Sequence, residues 1–197
     1  MNRQFTVTLV RHGETPMNAK RLIQGHTDTP LSETGIKQAE TLGKHLSNEK
    51  YTRAFASNLQ RAHHTARIIL SFSENPVEIA VDKRLCERGF GDAEGKYVPD
   101  VHEEAKKLGL QFHNFTPAGG ETFSDVQTRV QGFICDLCKL VDENQETHEN
   151  VLIVTHGGWM VALMRYLSLH SALKSNSNSK QRVIDFAFIN NFHHLNL

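Results

Sequence analysis

The sequence predicts an α/β fold of three layers (αβα), in which helices cover both faces of a mostly parallel central sheet. Short apolar, β-branched segments typical of buried strands alternate with longer segments whose apolar residues recur at helical spacing. Such alternation requires crossover connections between parallel strands. The length of 197 residues suits one domain covering 1–197, and no repeat with a period of about 20–50 residues is present.

The first half of the chain is predicted to contain three strands and two helices. The strands cover residues 5–10, 53–57 and 77–81. Ser32 is a favourable N-cap for the first helix, and a second helix is predicted from Asn58. The first helix has an apolar face of residues three or four apart: Ile36, Ala39, Leu42 and Leu46.

The second half begins with a segment rich in loops, residues 89–120, which holds six glycines, two prolines and a short predicted helix near 100–108. Thr122 and Asp125 then form a capping-box pattern at the start of a long amphipathic helix. Buried strands are predicted at 151–155 and 183–189, with a helix between them that opens at His156. Cys135 and Cys138 lie inside the long helix, where core packing is a better interpretation than a redox or zinc site.

Composition excludes several classes of partner. The 22 basic and 22 acidic residues balance, which predicts no general attraction to nucleic acid or to an anionic membrane. The apolar stretches are far shorter than the ~20 residues of a membrane helix. Three cysteines are too few for a disulfide framework, and the first residues lack a signal-peptide pattern, so we expect a cytoplasmic protein.

Polar residues follow three of the predicted strands, at the edge where parallel sheets bind ligands. Arg11 and His12 follow the first strand, Arg61 comes shortly after the second, and His156 and Gly157 follow the strand at 151–155. Arginine offers forked donors that match phosphate oxygens, and free N–H groups at helix starts add to them. Histidine beside such groups can act as a donor or as a nucleophile. The pattern therefore predicts a site for a phosphoryl group.

Five motifs carry a family resemblance over roughly residues 5–167: LVRHGET with Asn18, SNLQRA, CERGFGDAEG, PAGGET and VTHGG. Together they resemble the histidine phosphatase (phosphoglycerate-mutase-like) superfamily, and the finer pattern is most similar to its fructose-2,6-bisphosphatase branch. The resemblance implies the phosphoglycerate-mutase-like fold and a phosphatase of phosphorylated sugars that needs no metal or other cofactor.

The resemblance also implies a role for each matching residue. His12 would attack phosphorus and form a phosphohistidine, and Glu87 would protonate the leaving group and later activate water. His156 is the third residue of the catalytic group. The remaining implied residues would hold the phosphoryl group or the substrate: Arg11, Asn18, Gln24, Gly25, Arg61 and Gly157.

Glu87 has a competing interpretation, and other carboxylates compete with it for the acid/base role. Arg84 and Arg88 flank Glu87, so a surface salt bridge is a competing interpretation of this carboxylate. Glu14 and Asp92 are competing carboxylates.

Alternatives also remain open for the activity. Mutases of the superfamily carry an Arg-Arg pair after the catalytic glutamate, whereas no arginine occurs between Tyr97 and Gly119, which favours a phosphatase. A phosphoglycerate mutase, a 2,3-bisphosphoglycerate phosphatase and an inactive phosphate-binding module are the alternatives. A second phosphate of the substrate could be held by four residues: Lys83, Arg84, Lys96 and Tyr97.

The chain departs from the family pattern after about residue 168. Members of this branch carry an Asn-Thr strand after the helix that follows the second histidine. Here that strand is either missing or replaced by Asn176-Ser177 or Asn178-Ser179. The departure affects the expected wall of the substrate pocket near His156 and one edge of the sheet.

Overall fold

Five strands form one sheet in the computed structural model, which describes residues 5–143, 148–174 and 184–189. The order across the sheet is β3-β2-β4-β1-β5, and every pairing is parallel. In chain order the strands are β1 (Phe5–Arg11), β2 (Arg53–Ala56), β3 (Ile79–Val81), β4 (Glu149–Thr155) and β5 (Ile184–Ile189).

Six α-helices connect or cover these strands within the described residues. They are α1 (Pro16–Ala19), α2 (Glu33–His45), α3 (Gln60–Leu70), α4 (Val98–Lys107), α5 (Phe123–Glu143) and α6 (Gly157–Lys174). The capping box predicted for α5 is present, because Asp125 N–H donates to Thr122 Oγ1 and Thr122 N–H donates to Asp125 Oδ2. Ser32 caps α2 as predicted, by accepting from Gly35 N–H at 3.1 Å.

The two faces of the sheet bury separate cores, as the alternation of side chains along a strand requires. Val7 and Leu9 of β1 pack with α5 and α6, whereas Val10 packs with α2 and α3. The predicted three-layer αβα architecture is therefore confirmed.

Some element boundaries differ from the sequence prediction. The four-residue helix α1 was not predicted, and it depends on a capping box between Thr15 and Asn18. Helix α3 begins at Gln60 rather than at Asn58, because Asp28, from a different part of the chain, accepts from Gln60 N–H at 2.8 Å. A cap supplied from 32 residues away leaves no local sequence signal.

Strand β4 begins two residues before its predicted start. Glu149 is polar but only 2% exposed, because its carboxylate accepts from Arg53 and from Thr52. Strand β3 is shorter than predicted and covers only Ile79–Val81, and α4 covers Val98–Lys107 rather than about 100–108.

The cysteine pair of α5 only partly follows the prediction of core packing. Cys138 is buried in the core between the sheet and α5, but Cys135 is exposed. The last strand is present as β5, paired with β1, while Val183 and the segment Asn176–Ser179 lie outside the described residues.

A third, smaller apolar cluster lies apart from the sheet. It joins the loop residue Ile23 to the loop-rich segment after β3, through Ala93, Val101, Ala105 and Phe115. This cluster fixes the segment that carries Glu87 against the loop that carries Gln24 and Gly25. Within the described part of the chain, no helix is long and apolar enough to cross a membrane.

Leu163→Ala should lower the free energy of unfolding by about 2–5 kcal/mol, because its side chain is fully buried between α6 and the sheet. Met164→Ala is the matched control: the neighbouring side chain is 45% exposed, so a change within about 0.5 kcal/mol is expected. Urea denaturation of both variants measures the difference. Equal losses would contradict the assignment of the inward face of α6.

Candidate active site

The carboxyl ends of β1 and β4 place two histidines side by side. Arg11 and Thr155 are register partners, and His12 N–H continues the ladder by donating to the Thr155 carbonyl at 3.0 Å. His12 and His156 directly follow these partners, and their ring centroids are 5.0 Å apart. Both side chains are almost completely buried.

Both histidines are neutral in this environment. Burial lowers the pKa of His12 well below its ordinary value of 6.5, and the positive charges of Arg61 and Arg11 lower it further. Burial is also the main cause that lowers the pKa of His156, followed by His12 and the two arginines. His12 Nδ1 lies 2.7 Å from the Gly13 carbonyl, which can only accept, so Nδ1 carries the proton and Nε2 has the free lone pair.

Arg61 is a fully buried guanidinium held by backbone carbonyls. Its Nη1 donates to Thr27 O and its Nη2 donates to Gly25 O, both at 2.8 Å. Burial lowers the pKa of Arg61, although the nearby Glu87 raises it. Among the described residues, Arg61 Nε and both ring nitrogens of His156 are buried without a hydrogen-bond partner. Buried polar atoms normally have one, so these atoms indicate a site for an external polar group.

Arg11, which is half-buried, brings a second positive charge to the same place. A Cβ added at Gly157 would lie 3.6 Å from its guanidinium carbon, so the start of α6 adjoins this side chain. Burial lowers the pKa of Arg11, Glu87 raises it, and Arg61 lowers it. The three charges of Arg11, Arg61 and Glu87 therefore act on one another.

Asn18 and Gln24 are oriented by one threonine. Thr15 N–H donates to Asn18 Oδ1 at 3.1 Å, and Thr15 Oγ1 donates to Gln24 Oε1 at 2.8 Å. Because the amide oxygens of both side chains accept from Thr15, their NH₂ groups are the ends that can donate to a ligand. Thr15 lies in the HGET motif, where the sequence interpretation assigned it no role.

Gly25 is required where it stands. Its φ of +52° lies in the left-handed region, and a Cβ there would collide with the Glu94 carboxylate. The structure thus gives Gly25 the task of presenting its carbonyl to Arg61. Glu94, which the sequence interpretation missed, occupies the space that the absent side chain leaves.

Glu87 reaches the start of α6. Its carboxylate accepts from Gly158 N–H at 3.2 Å and from Arg88 N–H at 2.8 Å. A side chain at position 158 would collide with this carboxylate, so Gly158 admits it.

The salt-bridge interpretation of Glu87 is wrong. Arg84 pairs instead with Asp82 and Asp136, both at 2.7 Å, and these hydrogen bonds raise its pKa. Arg88 is 3% exposed and donates to backbone carbonyls, including Phe115 O at 2.7 Å.

The competing carboxylates and second-phosphate residues lie in other settings. Glu14 accepts from Ser32 Oγ at 2.8 Å and so joins the start of α2, and Asp92 is exposed. Of the residues considered for a second phosphate, Arg84 is occupied by its two aspartates, and Tyr97 contacts Arg21. The described residues contain no group of three or more His, Cys, Asp or Glu side chains arranged to hold a metal ion.

Fold and site together define an α/β protein with a buried candidate site for an anion at the carboxyl ends of parallel strands. The chain belongs to the histidine phosphatase superfamily (branch 1), whose profile matches residues 7–180.

Among curated proteins, the chain is similar to fructose-2,6-bisphosphatase TIGAR of Xenopus tropicalis, with 44% identity over 149 residues that cover 74% of this chain and 54% of that protein. It is also 38% identical over 169 residues to adenosylcobalamin/alpha-ribazole phosphatase of Salmonella typhimurium, covering 83% and 80% of the two chains. The chain spans about half the length of the TIGAR proteins that it matches.

Solved structures share the fold. Phosphoglycerate mutase of Bacillus anthracis superposes with a TM-score of 0.74 at 24% identity, covering 92% of this chain and 84% of that one. The predicted phosphoglycerate-mutase-like architecture and the resemblance to the superfamily are therefore confirmed.

NMR of the histidine side chains near pH 7 should show that the two site histidines differ from His26 in protonation state. We expect His12 and His156 to be neutral, because burial and two arginines lower their pKa, and His26 to be protonated, because contacts with Cys86 and Glu121 raise its pKa to about 10. ¹⁵N shifts of the ring nitrogens, assigned with single substitutions, report both states. A protonated His12 ring near pH 7 would contradict the lowered pKa of this side chain.

Proposed function

We propose that this protein is a phosphomonoester hydrolase of sugar (bis)phosphates, with fructose-2,6-bisphosphate as its substrate, acting through a phosphohistidine on His12. The observation that carries the proposal is a neutral, buried His12 with a free Nε2 lone pair beside the buried Arg61 and the half-buried Arg11. A neutral imidazole is the nucleophilic form, and the arginines attract the phosphoryl oxygens.

The first step transfers the phosphoryl group from substrate to enzyme. Nε2 of His12 forms a bond to phosphorus as the bond to the leaving oxygen breaks. Glu87, in its protonated form, gives its proton to that oxygen, so that an alcohol leaves rather than an alkoxide. The hydrogen bond from Gly158 N–H holds the carboxylate at the start of α6, next to His156.

The second step releases phosphate. Glu87, now ionised, takes a proton from water while the water oxygen bonds to phosphorus and the bond to His12 breaks. The products are inorganic phosphate, neutral His12 and protonated Glu87, so the enzyme returns to its starting state. One carboxylate serves as acid and then as base, because the first step needs a proton at the leaving oxygen and the second step releases a proton from water.

Arg11, Arg61 and His156 would hold the phosphoryl oxygens in both steps. Arg61 Nε and the ring nitrogens of His156 have no partner among the described residues, which makes them available to a phosphoryl oxygen. Phosphoryl transfer depends on positioning and charge neutralisation, which fixed guanidinium groups can supply without a metal ion.

The choice of substrate rests on similarity. The TIGAR proteins are named as fructose-2,6-bisphosphatases, and this chain is 44% identical to the one of Xenopus tropicalis over 149 residues. The absence of arginine between Tyr97 and Gly119 favours hydrolysis over mutase activity. The inactive binding module is disfavoured because His12, His156, Arg11 and Arg61 are all present.

His12→Ala should lower phosphate release from fructose-2,6-bisphosphate about 10³-fold or more, because it removes the side chain that forms the covalent intermediate. The assay compares a panel of sugar phosphates, with and without EDTA, and traps the enzyme-bound phosphate. Wild type should form an acid-labile, alkali-stable phosphate that the variant lacks, and EDTA should have no effect. Phosphate release that persists in the variant, or that stops on chelation, would overturn the mechanism. If phosphate is released strongly only from another sugar phosphate, that compound replaces fructose-2,6-bisphosphate as the proposed substrate.

Glu87→Gln should impair substrates with poor leaving groups the most. An amide cannot give a proton, so kcat/KM for 4-methylphenyl phosphate should fall about 10²-fold or more, whereas 4-nitrophenyl phosphate, whose leaving group needs no proton, should be affected far less. The two substrates have nearly the same shape, so binding differences cancel in their ratio. An unchanged ratio would exclude Glu87 as the general acid and return Asp92 to consideration.

A further inference from the structure

The candidate active site is assembled from two separate parts of the chain. The first is the arginine loop, residues 25–28, whose carbonyls of Gly25 and Thr27 hold Arg61. The second is the glutamate segment, residues 84–94, which carries Glu87. Proton donation by Glu87 to an oxygen of a group held by Arg61 requires a fixed distance between these two parts.

One side chain of the arginine loop bonds directly to the glutamate segment. His26 Nε2–H donates to the carbonyl oxygen of Glu87 at 2.8 Å. Gly89 leaves room for the ring, since a Cβ there would lie 3.2 Å from His26 Cε1. Because His26 stands between Gly25 and Thr27, one hydrogen bond links the residue behind Arg61 to the residue that carries the acid.

Glu121 fixes the other side of this contact. Its Oε2 lies 3.6 Å from His26 Nε2 and accepts from Gly89 N–H at 2.7 Å. Burial raises the pKa of Glu121, but hydrogen bonds from His26, Arg129 and Gly89 lower it to about 2. The carboxylate is therefore ionised at neutral pH and faces a cationic imidazole.

Arg129 completes the arrangement from α5. It binds both carboxylate oxygens of Glu121 at 3.0 Å and donates to the carbonyls of Arg84, Cys86 and Glu87 at 2.9, 2.6 and 2.9 Å. The backbone around Glu87 is thus held by charged groups from α5 and from the arginine loop. Only His26 among them also belongs to the part that holds Arg61.

Glu94 provides a second link between the same two parts. Its carboxylate accepts from the backbone N–H groups of His26, Thr27 and Phe90 at 2.9–3.0 Å. This link fixes the backbone of the arginine loop, so the loop stays in place when the His26 side chain is changed. Loss of that side chain then removes its contacts with Glu87, Cys86 and Glu121 but leaves the loop backbone held by Glu94.

We propose that His26 is a positioning residue for general-acid catalysis: its hydrogen bond to the Glu87 carbonyl sets Glu87 against the phosphoryl group held by Arg61. The proposal rests on the proposed function. It gives a role to a histidine to which the sequence analysis had assigned none.

The test uses leaving-group dependence, because impaired proton donation slows a substrate with a poor leaving group more than one with a good leaving group. In His26→Ala, kcat/KM for 4-methylphenyl phosphate should fall about tenfold more than kcat/KM for 4-nitrophenyl phosphate. In His26→Gln, kcat/KM for 4-methylphenyl phosphate should fall at most about threefold more than kcat/KM for 4-nitrophenyl phosphate, because the side-chain amide can donate to the same carbonyl. His64→Ala is the control: this histidine of α3 is exposed, and both substrates should react as with wild type.

The outcomes distinguish failure of the positioning role from failure of the proposed function. If His26→Ala lowers kcat/KM equally for both substrates, His26 supports structure in general and the positioning role is overturned. If His26→Gln behaves as His26→Ala does, the hydrogen bond is not the cause and the proposal also fails. In both cases an active wild type leaves the proposed function standing. A wild type that releases phosphate neither from these two substrates nor from the sugar phosphates overturns the proposed function and this inference with it.

Discussion

Arg11 and Thr155 end neighbouring parallel strands in register, so the next residues, His12 and His156, emerge side by side. The arrangement of the site depends on this pairing. A shift of one residue between β1 and β4 would turn one of the histidines toward the opposite face of the sheet. The apolar layers on both faces prevent such a shift, because Leu9 and Val10 are each fully buried in different cores.

Burial of positive charge is the second feature of the site. Arg61 is fully buried, yet its guanidinium contacts backbone carbonyls rather than carboxylates. Carbonyls satisfy its donors without neutralising its charge, so the charge is kept for an anion. Burial is the main cause that lowers the pKa of His12, and the charge of Arg61 lowers it further. The charge that suits an anion therefore also favours a neutral His12.

The glutamate segment is organised differently, by charged side chains that bind backbone. Arg129 and Glu121 form a bidentate pair that fixes carbonyls and an N–H group around Glu87, while the Glu87 carboxylate itself accepts from backbone N–H groups. No salt bridge to Glu87 is formed within the described residues. Freedom from an ion pair suits the proposed role of Glu87 in giving and taking a proton.

The sequence by itself determined the αβα class, the strand ends at which Arg11, His12 and His156 stand, and the family, because these depend on local periodicity and on motifs next to strand ends. Boundaries that depend on distant partners needed the tertiary structure: Asp28 caps α3, and Arg53 and Thr52 allow Glu149 to start β4 inside the protein. The tertiary structure also decided between a salt bridge and a free carboxylate for Glu87, because only packing shows that Arg84 and Arg88 bind other groups. His26 could not be found from its neighbours in sequence. Its contact with the Glu87 carbonyl spans 61 residues, and a hydrogen bond to a backbone atom requires no particular partner side chain, so it leaves no pattern in the sequence.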